Sequence, residues 1–246
     1  MRRRVEVVSL ARSGILGRKA TTWDLGLESL GLKGDGSPIP VDESLLVSSV
    51  KGEWLYGLGD VNMRGPFSHS SKYHGRIAAN AILARAGRGG NQDAGFGSPW
   101  SSVSATADTR ALPQVVFSSP QVASVGLTRT AAQESGRAIR EVTAPVATLG
   151  ATLRADGYEE GWAQWIVDAN TEKLLGATFV GENVADLLHA STVAIVGGLT
   201  VRQLAHAVPA FPTMSEVYLN LQEALGLFPL KIWHGTSFNT FNIARL

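Results

Sequence analysis

The sequence predicts an α+β fold, in which helices pack with an antiparallel sheet. Three observations support this class. In the second half of the chain, segments patterned as strands are followed by segments patterned as helices. Two strand patterns, 162–167 and 174–180, flank the turn residues 168–171, which is typical of a hairpin. Residues 87–111 are rich in Gly and Ser, which indicates a linker between two structural units.

Composition restricts the partners and the compartment. The chain has 246 residues, 44% of them hydrophobic, which is enough for one or two domains. Its formal net charge of +1 favours neither nucleic acid nor an anionic membrane as a partner. No stretch reaches the roughly 18 apolar residues of a membrane span, and Glu6, Arg12 and Arg18 interrupt the segment that a signal peptide would need. We therefore expect a cytoplasmic protein that binds neither nucleic acid nor membrane.

The 246 residues include no cysteine. Within this chain, that excludes disulfide bonds, thiolate nucleophiles, zinc sites built on cysteine and dithiol redox exchange. We expect no metal site.

An acidic residue follows the second of two short strands predicted in the first half, 44–50 and 54–58. Asp60 stands in the sequence GLGDV (57–61). A carboxylate at this point can accept hydrogen bonds from ligand hydroxyls, and Gly59 lets a ligand approach the backbone closely. A plain turn, or a buried Asp that caps one, would give the same pattern, so both interpretations stay open.

A helix is predicted after this turn, with Ser68 as its N-cap and Gly87 as its end. Its apolar stripe consists of Tyr73, Ile77, Ala81 and Ala84. The order of strand, turn and helix places the helix N-terminus, with Ser68 and His69, near Asp60. Free backbone N–H groups and the positive helix end would favour an electron-rich ligand group there.

The elements after the linker are bounded by caps and glycines. They are a strand over 114–118, a helix from Thr128 to Gly136, the hairpin, a helix over 183–196 ended by Gly197, a short helix capped by Thr200, and a last helix over 213–225. In the last helix, Thr213 and Glu216 match a capping box, in which each side chain bonds the other residue's backbone N–H.

A resemblance to a known family rests on several motifs in order. The segment LPQVVFSSPQVASVGLT (112–128) resembles the opening of the dimerisation domain of flavoprotein disulfide reductases, the pyridine nucleotide-disulfide oxidoreductase family. Further matching motifs are LGAT (175–178), VG (180–181), AI (194–195), LT (199–200) and PTMSE (212–216). Upstream, GRK (17–19) with DLGLE (24–28) resembles the exit from the family's NAD(P)-binding domain, and LYGLGDV (55–61) resembles its second flavin motif.

The resemblance implies a domain division and a cofactor. The implied domains are a remnant of the nucleotide-binding region (1–40), a partial FAD-domain segment (41–90), a linker (91–111), the dimerisation domain (112–226) and a C-terminal extension (227–246). It also implies that Asp60 holds the flavin ribityl chain and that the helix near His69 faces the flavin pyrimidine. The implied cofactor-binding residues are Gly59, Asp60, Ser68 and His69.

The sequence departs from the family pattern at the motifs that bind the cofactors and carry out the redox chemistry. Neither GxGxxG loop nor the redox cysteine pair is present, so we do not expect this chain alone to bind FAD tightly. Family members that handle thiols carry a His before the Pro-Thr of the last motif, paired with the Glu that is Glu216 here. Phe211 occupies the His position and cannot move a proton. Glu216 and His69 stay as candidate catalytic residues.

The resemblance supports one function and two alternatives. The first is a truncated FAD- and NAD(P)-dependent oxidoreductase of quinone-reductase type, which does not reduce disulfides and cannot complete hydride transfer alone. The alternatives are a cofactor-independent cyclase or isomerase in the vacated flavin cleft, and a dimerisation module without catalysis. Expected partners are a second copy bound through residues 112–225, a flavoprotein subunit carrying the missing half, and a small-molecule ligand.

Overall fold

The computed structural model describes residues 18–88, 95–148, 151 and 160–228. The chain divides into two compact units, with the boundary between Thr109 and Arg110. Residues 1–17 of the predicted nucleotide-binding remnant and residues 229–246 of the predicted extension lie outside the described residues. Within the described ranges, no helix has the length and apolarity needed to cross a membrane.

The second unit is a five-stranded antiparallel sheet with helices. Its strands are β1 (Gln114–Val116), β2 (Gln121–Gly126), β3 (Ile139–Pro145), β4 (Trp162–Asp168) and β5 (Leu174–Gly181). The spatial order is β1-β2-β5-β4-β3, and every neighbouring pair is antiparallel. The predicted α+β class and the predicted hairpin, here β4–β5, are confirmed.

The described helices fall in both units. They are α1 (Ser68–Arg85), α2 (Ala107–Arg110), α3 (Arg129–Glu134), α4 (Leu188–Val196), α5 (Val201–Leu204) and α6 (Val217–Ala224), with short 3-10 helices at Leu27–Leu30, Gly59–Asn62 and Met214–Glu216. The predicted helix over 183–196 begins only at Leu188. Asn183, the first residue of the predicted helix, has a φ of +57°, which a right-handed helix does not allow.

Two of the four predicted N-caps are present. The hydroxyl of Thr128 accepts from the Ala131 N–H at 3.1 Å, and Thr200 forms a full capping box with Gln203. Ser68 is the first helical residue of α1 rather than its cap, and the extended Phe67 precedes it.

The capping box expected at Thr213 is wrong. Its hydroxyl donates instead to the Ala210 carbonyl at 2.6 Å, and no side chain caps the 3-10 helix that opens the last helical segment. The hydroxyl is thereby used to close the preceding loop.

The core of the second unit lies between one face of the sheet and two helices. Trp165 on β4 and Phe179 on β5 are fully buried, and the ring of Tyr218 on α6 lies 5.6 and 5.8 Å from them, tilted to both. The Tyr218 O–H donates to the Leu187 carbonyl at 2.6 Å and lies 3.0 Å from the Ser191 hydroxyl. This tyrosine therefore joins the aromatic core to the α4 region.

In the first unit, the two predicted short strands are reduced to one antiparallel bridge between Leu46 and Tyr56. The Asp42 carboxylate accepts from the N–H groups of Ser44 (2.8 Å) and Leu46 (3.0 Å), which bends the chain where a strand was expected. Burial raises the pKa of Asp42, but these hydrogen bonds outweigh it and the net pKa is lowered. The carboxylate is therefore the stable form of this cap.

The Gly/Ser-rich segment predicted as a linker is packed over part of its length. Residues 103–106 are buried, and the Ala105 N–H donates to the Glu43 carbonyl at 2.7 Å. The hydroxyl of Thr106 accepts from the Trp100 N–H at 2.8 Å. Residues 103–106 therefore belong to the interior of the first unit, whereas Trp100 is exposed.

Ionisation of Tyr218 should destabilise the fold at alkaline pH. Burial raises the pKa of Tyr218 to about 12, whereas an unfolded tyrosine ionises near pH 10. Its contribution is present in full below pH 10 and is lost as the pH rises towards 12, by about 2–3 kcal/mol. We expect the urea midpoint, followed by tryptophan fluorescence, to fall less steeply above pH 10 in Tyr218→Phe than in the parent. The control Tyr56→Phe should keep the parental pH dependence. Equal slopes in all three proteins would contradict the assignment.

Candidate functional site

A short turn precedes α1 and approaches it closely at one glycine. Gly59 opens the 3-10 helix Gly59–Asn62 with a φ of +67°. A Cβ built on Gly59 would lie 2.4 Å from the hydroxyl oxygen of Ser71 and 3.1 Å from its Cβ. Both the backbone conformation and the available space therefore require glycine, and the turn rests against the N-terminal part of α1.

Asp60 presents its carboxylate to solvent. Its side chain is 56% exposed, and its described ion partner is Arg18, whose Nη1 lies 3.5 Å away and which is 63% exposed. Such an exposed pair contributes little stability. The alternative of a buried Asp that caps a turn is therefore wrong. A carboxylate open to solvent is available to accept hydrogen bonds.

The backbone around Asp60 is fixed by its neighbours. The buried Asn62 donates through Nδ2 to the Gly57 carbonyl and accepts at Oδ1 from the Arg64 N–H, both at 2.9 Å. The Ile39 N–H donates to the Val61 carbonyl at 3.0 Å. The exposed carboxylate thus projects from an anchored turn.

Ser68 and His69 are exposed in the first turn of α1. The His69 ring stacks on Phe67, with ring centroids 5.1 Å apart and an interplanar angle of 9°. The first N–H groups of a helix have no intrahelical acceptor and lie at its positive end. Since Gly59 contacts Ser71, the structure brings the predicted turn and the predicted helix start into one region of the first unit.

A buried histidine that sequence reasoning missed lies beneath this turn. His74 on α1 is fully buried, and its Nδ1 accepts from the Gly59 N–H at 3.0 Å. Because Nδ1 accepts, the ring proton is on Nε2, which donates to both carboxylate oxygens of Asp108 at 2.9 Å each.

Asp108 on α2 is itself enclosed, with 1% of its side chain exposed. Besides the proton from His74, it accepts from Nε of Arg64 at 3.0 Å. The remaining guanidinium nitrogens of Arg64 donate to the Asp42 carbonyl (2.8 Å) and to the Glu43 carboxylate (3.1 Å). The buried charge is therefore compensated by fixed partners, as a buried charge requires.

One sequence signal could have located this cluster. His74 directly follows Tyr73 of the predicted apolar stripe, and a histidine on a buried helix face needs partners for both ring nitrogens. Its partner Asp108 stands in the segment predicted to be a linker, so the sequence pattern alone does not indicate the pair.

The remaining catalytic candidate, Glu216, and the position of Phe211 belong to the second unit. Glu216 is half-buried at the end of the 3-10 helix Met214–Glu216, and Phe211 is 61% exposed in the preceding loop. Within the described ranges, no three His, Asp or Glu side chains are grouped so that they could hold a metal ion.

Comparison with known proteins identifies the second unit. Residues 112–222 match the family described as "Pyridine nucleotide-disulphide oxidoreductase, dimerisation domain". This segment belongs to that family. The resemblance inferred from the motifs of 112–128 and beyond is confirmed.

The similarity extends into the first unit. The chain is 32% identical over 201 residues to a mercuric reductase of Staphylococcus aureus, and 30% identical over 217 residues to a dihydrolipoyl dehydrogenase of Bacillus subtilis. These alignments cover 81% and 88% of this chain, so they include much of the first unit. They cover 33% and 42% of those proteins, so the chain spans about a third to two fifths of their length.

A solved structure shows the same relation. The HOCl-induced flavoprotein disulfide reductase RclA from Escherichia coli superposes with a TM-score of 0.67 at 26% sequence identity. The match covers 85% of this chain and 44% of that protein. The folds of the matched residues therefore correspond to part of a flavoprotein.

Gly59→Ala should destabilise the first unit more than the same change at another left-handed glycine. Gly31 has a φ of +74°, but a Cβ there meets nothing within 4 Å. Gly31→Ala should therefore cost only the conformational strain, about 1–2 kcal/mol. Gly59→Ala adds the contact with Ser71, and we expect at least about 1 kcal/mol more. Urea unfolding of both variants measures the difference. Equal costs would show that the close approach to α1 is unimportant.

Proposed function

We propose that this chain supplies the dimer-forming domain and one edge of the flavin site of an FAD- and NAD(P)-dependent oxidoreductase of quinone-reductase type. The observation that carries the proposal is the solvent-open Asp60 carboxylate on an anchored turn whose glycine rests on α1. Membership of residues 112–222 in the dimerisation-domain family supports the oxidoreductase assignment.

The residues of the turn suit a flavin. Asp60 would accept hydrogen bonds from ribityl hydroxyls, which are charge-assisted and therefore strong. Gly59 has no side chain, which lets the turn pack against Ser71 of α1 and holds Asp60 beside the helix start. The N-terminus of α1, with Ser68 and His69, would stabilise electron density on the flavin pyrimidine. Bound FAD would supply the electron-transfer chemistry.

The same residues argue against disulfide reduction by this chain. Thiol exchange needs cysteine, and the 246 residues contain none. Phe211, where thiol-handling family members carry a histidine, is an exposed phenyl group and takes up no proton. Glu216 and His69 stay as catalytic candidates. The GxGxxG loops that these residues lack would come from a flavoprotein partner, and the protein would act in the cytoplasm on a small-molecule substrate.

Dimerisation through residues 112–225 has support from the surface of α4. Val193 and Val196 are 52% and 43% exposed, and their spacing of three residues places them on one side of the helix. Contiguous exposed apolar surface is typical of interaction sites, and these two side chains would contribute to one. We propose that this side of α4 contacts a second copy of the chain.

Asp60→Asn should weaken flavin binding about tenfold, because a charged acceptor is replaced by a neutral one. The full chain is titrated into FAD and, separately, into riboflavin, with flavin fluorescence anisotropy as the readout. Because the 246 residues contain no GxGxxG loop of the kind that holds a pyrophosphate, the two flavins should bind with similar, weak affinity. The control Asp24→Asn, another exposed aspartate of the first unit, should bind like the parent. No anisotropy change with either flavin would overturn direct flavin binding and favour the dimerisation module.

The double variant Val193→Asp/Val196→Asp should convert the dimer to a monomer. Both side chains are exposed, so the fold is retained, while four like charges would face each other in the dimer. Light scattering coupled to size-exclusion chromatography measures the mass. The control Ile82→Asp/Leu83→Asp changes two similarly exposed aliphatic residues outside 112–225 and should leave the dimer intact. A dimer that survives the α4 change would place the interface elsewhere.

A further inference from the structure

We propose that His74 is a positioning residue for the flavin-binding turn, acting through the hydrogen bond from the Gly59 N–H to its Nδ1. The flavin role of His74 rests on the proposed function, since it presumes that Asp60 binds the ribityl chain. His74 itself is fully buried and does not touch a ligand. It acts only by fixing the backbone that carries Asp60.

The hydrogen bond acts at the residue where the chain enters the turn. Gly59 combines a left-handed backbone with close contact to Ser71, so few orientations of its peptide group are allowed. Its N–H is buried against α1, and a buried donor without an acceptor costs about 1–3 kcal/mol. Holding this N–H therefore fixes the direction in which the next residue, Asp60, leaves the turn.

Asp108 and Arg64 hold the ring of His74 in place. Nε2 donates to Asp108, which also accepts from Nε of Arg64 at 3.0 Å. If the imidazole flipped or changed tautomer, two N–H groups would face each other at Gly59, or the buried carboxylate would lose a donor. The ring can therefore present only an unprotonated Nδ1 to the turn.

Leucine and glutamine in place of His74 should differ in how well they hold the Gly59 N–H. Leucine fills similar space but cannot accept a hydrogen bond from Gly59. Glutamine can accept with its oxygen and donate with its nitrogen, although it lacks the rigid spacing of the two ring nitrogens. The series histidine, glutamine, leucine should therefore lose the anchoring of the turn in steps.

The anchoring is tested without flavin, by NMR of the full chain labelled with ¹⁵N. We expect the His74 imidazole to show an unprotonated Nδ1 and a protonated Nε2, and the Gly59 amide to exchange slowly with solvent. In His74→Leu, exchange at Gly59 should accelerate at least tenfold, which corresponds to about 1.4 kcal/mol, while amides of β4 and β5 stay unchanged. His74→Gln should restore part of the protection. The control His189→Gln, at an exposed histidine of α4, should change nothing at Gly59.

Asp108→Asn gives a second measurement that does not depend on the folding of His74→Leu. It keeps an acceptor for Nε2 but removes the charge that orients the ring, so Gly59 exchange should rise by about threefold. Unchanged exchange at Gly59 in either His74→Leu or Asp108→Asn would overturn the anchoring.

Riboflavin titration separates the two claims. If Asp60→Asn and His74→Leu both weaken binding, and His74→Gln recovers part of it, the positioning role is supported. If Asp60→Asn weakens binding and His74→Leu does not, the positioning role is wrong and the flavin site remains. If His74→Leu accelerates Gly59 exchange while Asp60→Asn leaves binding unchanged, the anchoring remains and the flavin site is wrong.

Discussion

The hydrogen bond between the Gly59 N–H and the His74 ring joins the parts of the first unit that regular secondary structure does not join. His74 lies on α1, its partner Asp108 lies on α2, and Arg64 extends the network to the loop at Asp42. In the described part of this unit, strand pairing is limited to the bridge between Leu46 and Tyr56. The segments are joined instead by this network and by separate backbone hydrogen bonds, such as the one from the Ala105 N–H to the Glu43 carbonyl.

The apolar clusters of the first unit contain few buried residues. One buried cluster comprises Leu45, Ile77, Ala78 and Ala105, and another comprises Leu27, Ile39 and Val47. Clusters of this size bury limited area, so a satisfied polar network contributes a larger share of the unit's order than in a large core. The solvent-open carboxylate of Asp60 depends on that order, because it projects from a short 3-10 turn that is held by hydrogen bonds of Asn62 and His74.

The second unit is held together mainly by apolar packing. Its sheet and helices enclose one continuous apolar core around Trp165 and Phe179, and Tyr218 brings one polar atom into it with both hydrogen-bonding partners present. The β4–β5 hairpin could be predicted because its two strand patterns flank a short turn, so the paired strands lie close in sequence. The N-caps at Thr128 and Thr200 could be predicted from the sequence because each cap bonds to a residue three positions away.

Elsewhere, local signals competed with contacts distant in sequence. The pattern of residues 44–50 is typical of a strand, but the Asp42 carboxylate bends the segment through hydrogen bonds. Thr213 has the spacing of a capping box, yet its hydroxyl donates to the Ala210 carbonyl and no side chain caps the 3-10 helix that follows. Ser104 and Thr106 stand in the segment predicted as a linker, yet they are buried and their hydroxyls bond each other at 2.9 Å. In each case the contacts of the folded chain, and not the local sequence pattern, determine which partner the polar side chain has.

The sequence by itself determined the α+β class, the β4–β5 hairpin, the family of residues 112–222 and the location of the acidic turn at Asp60. Those features follow from periodicity and from motifs whose partners lie a few residues apart. Only the tertiary structure decided that His74 and Asp108, 34 positions apart, form the pair beneath that turn. The physical reason is burial, since a side chain's hydrogen-bonding partner is set by which distant groups are excluded from water together with it.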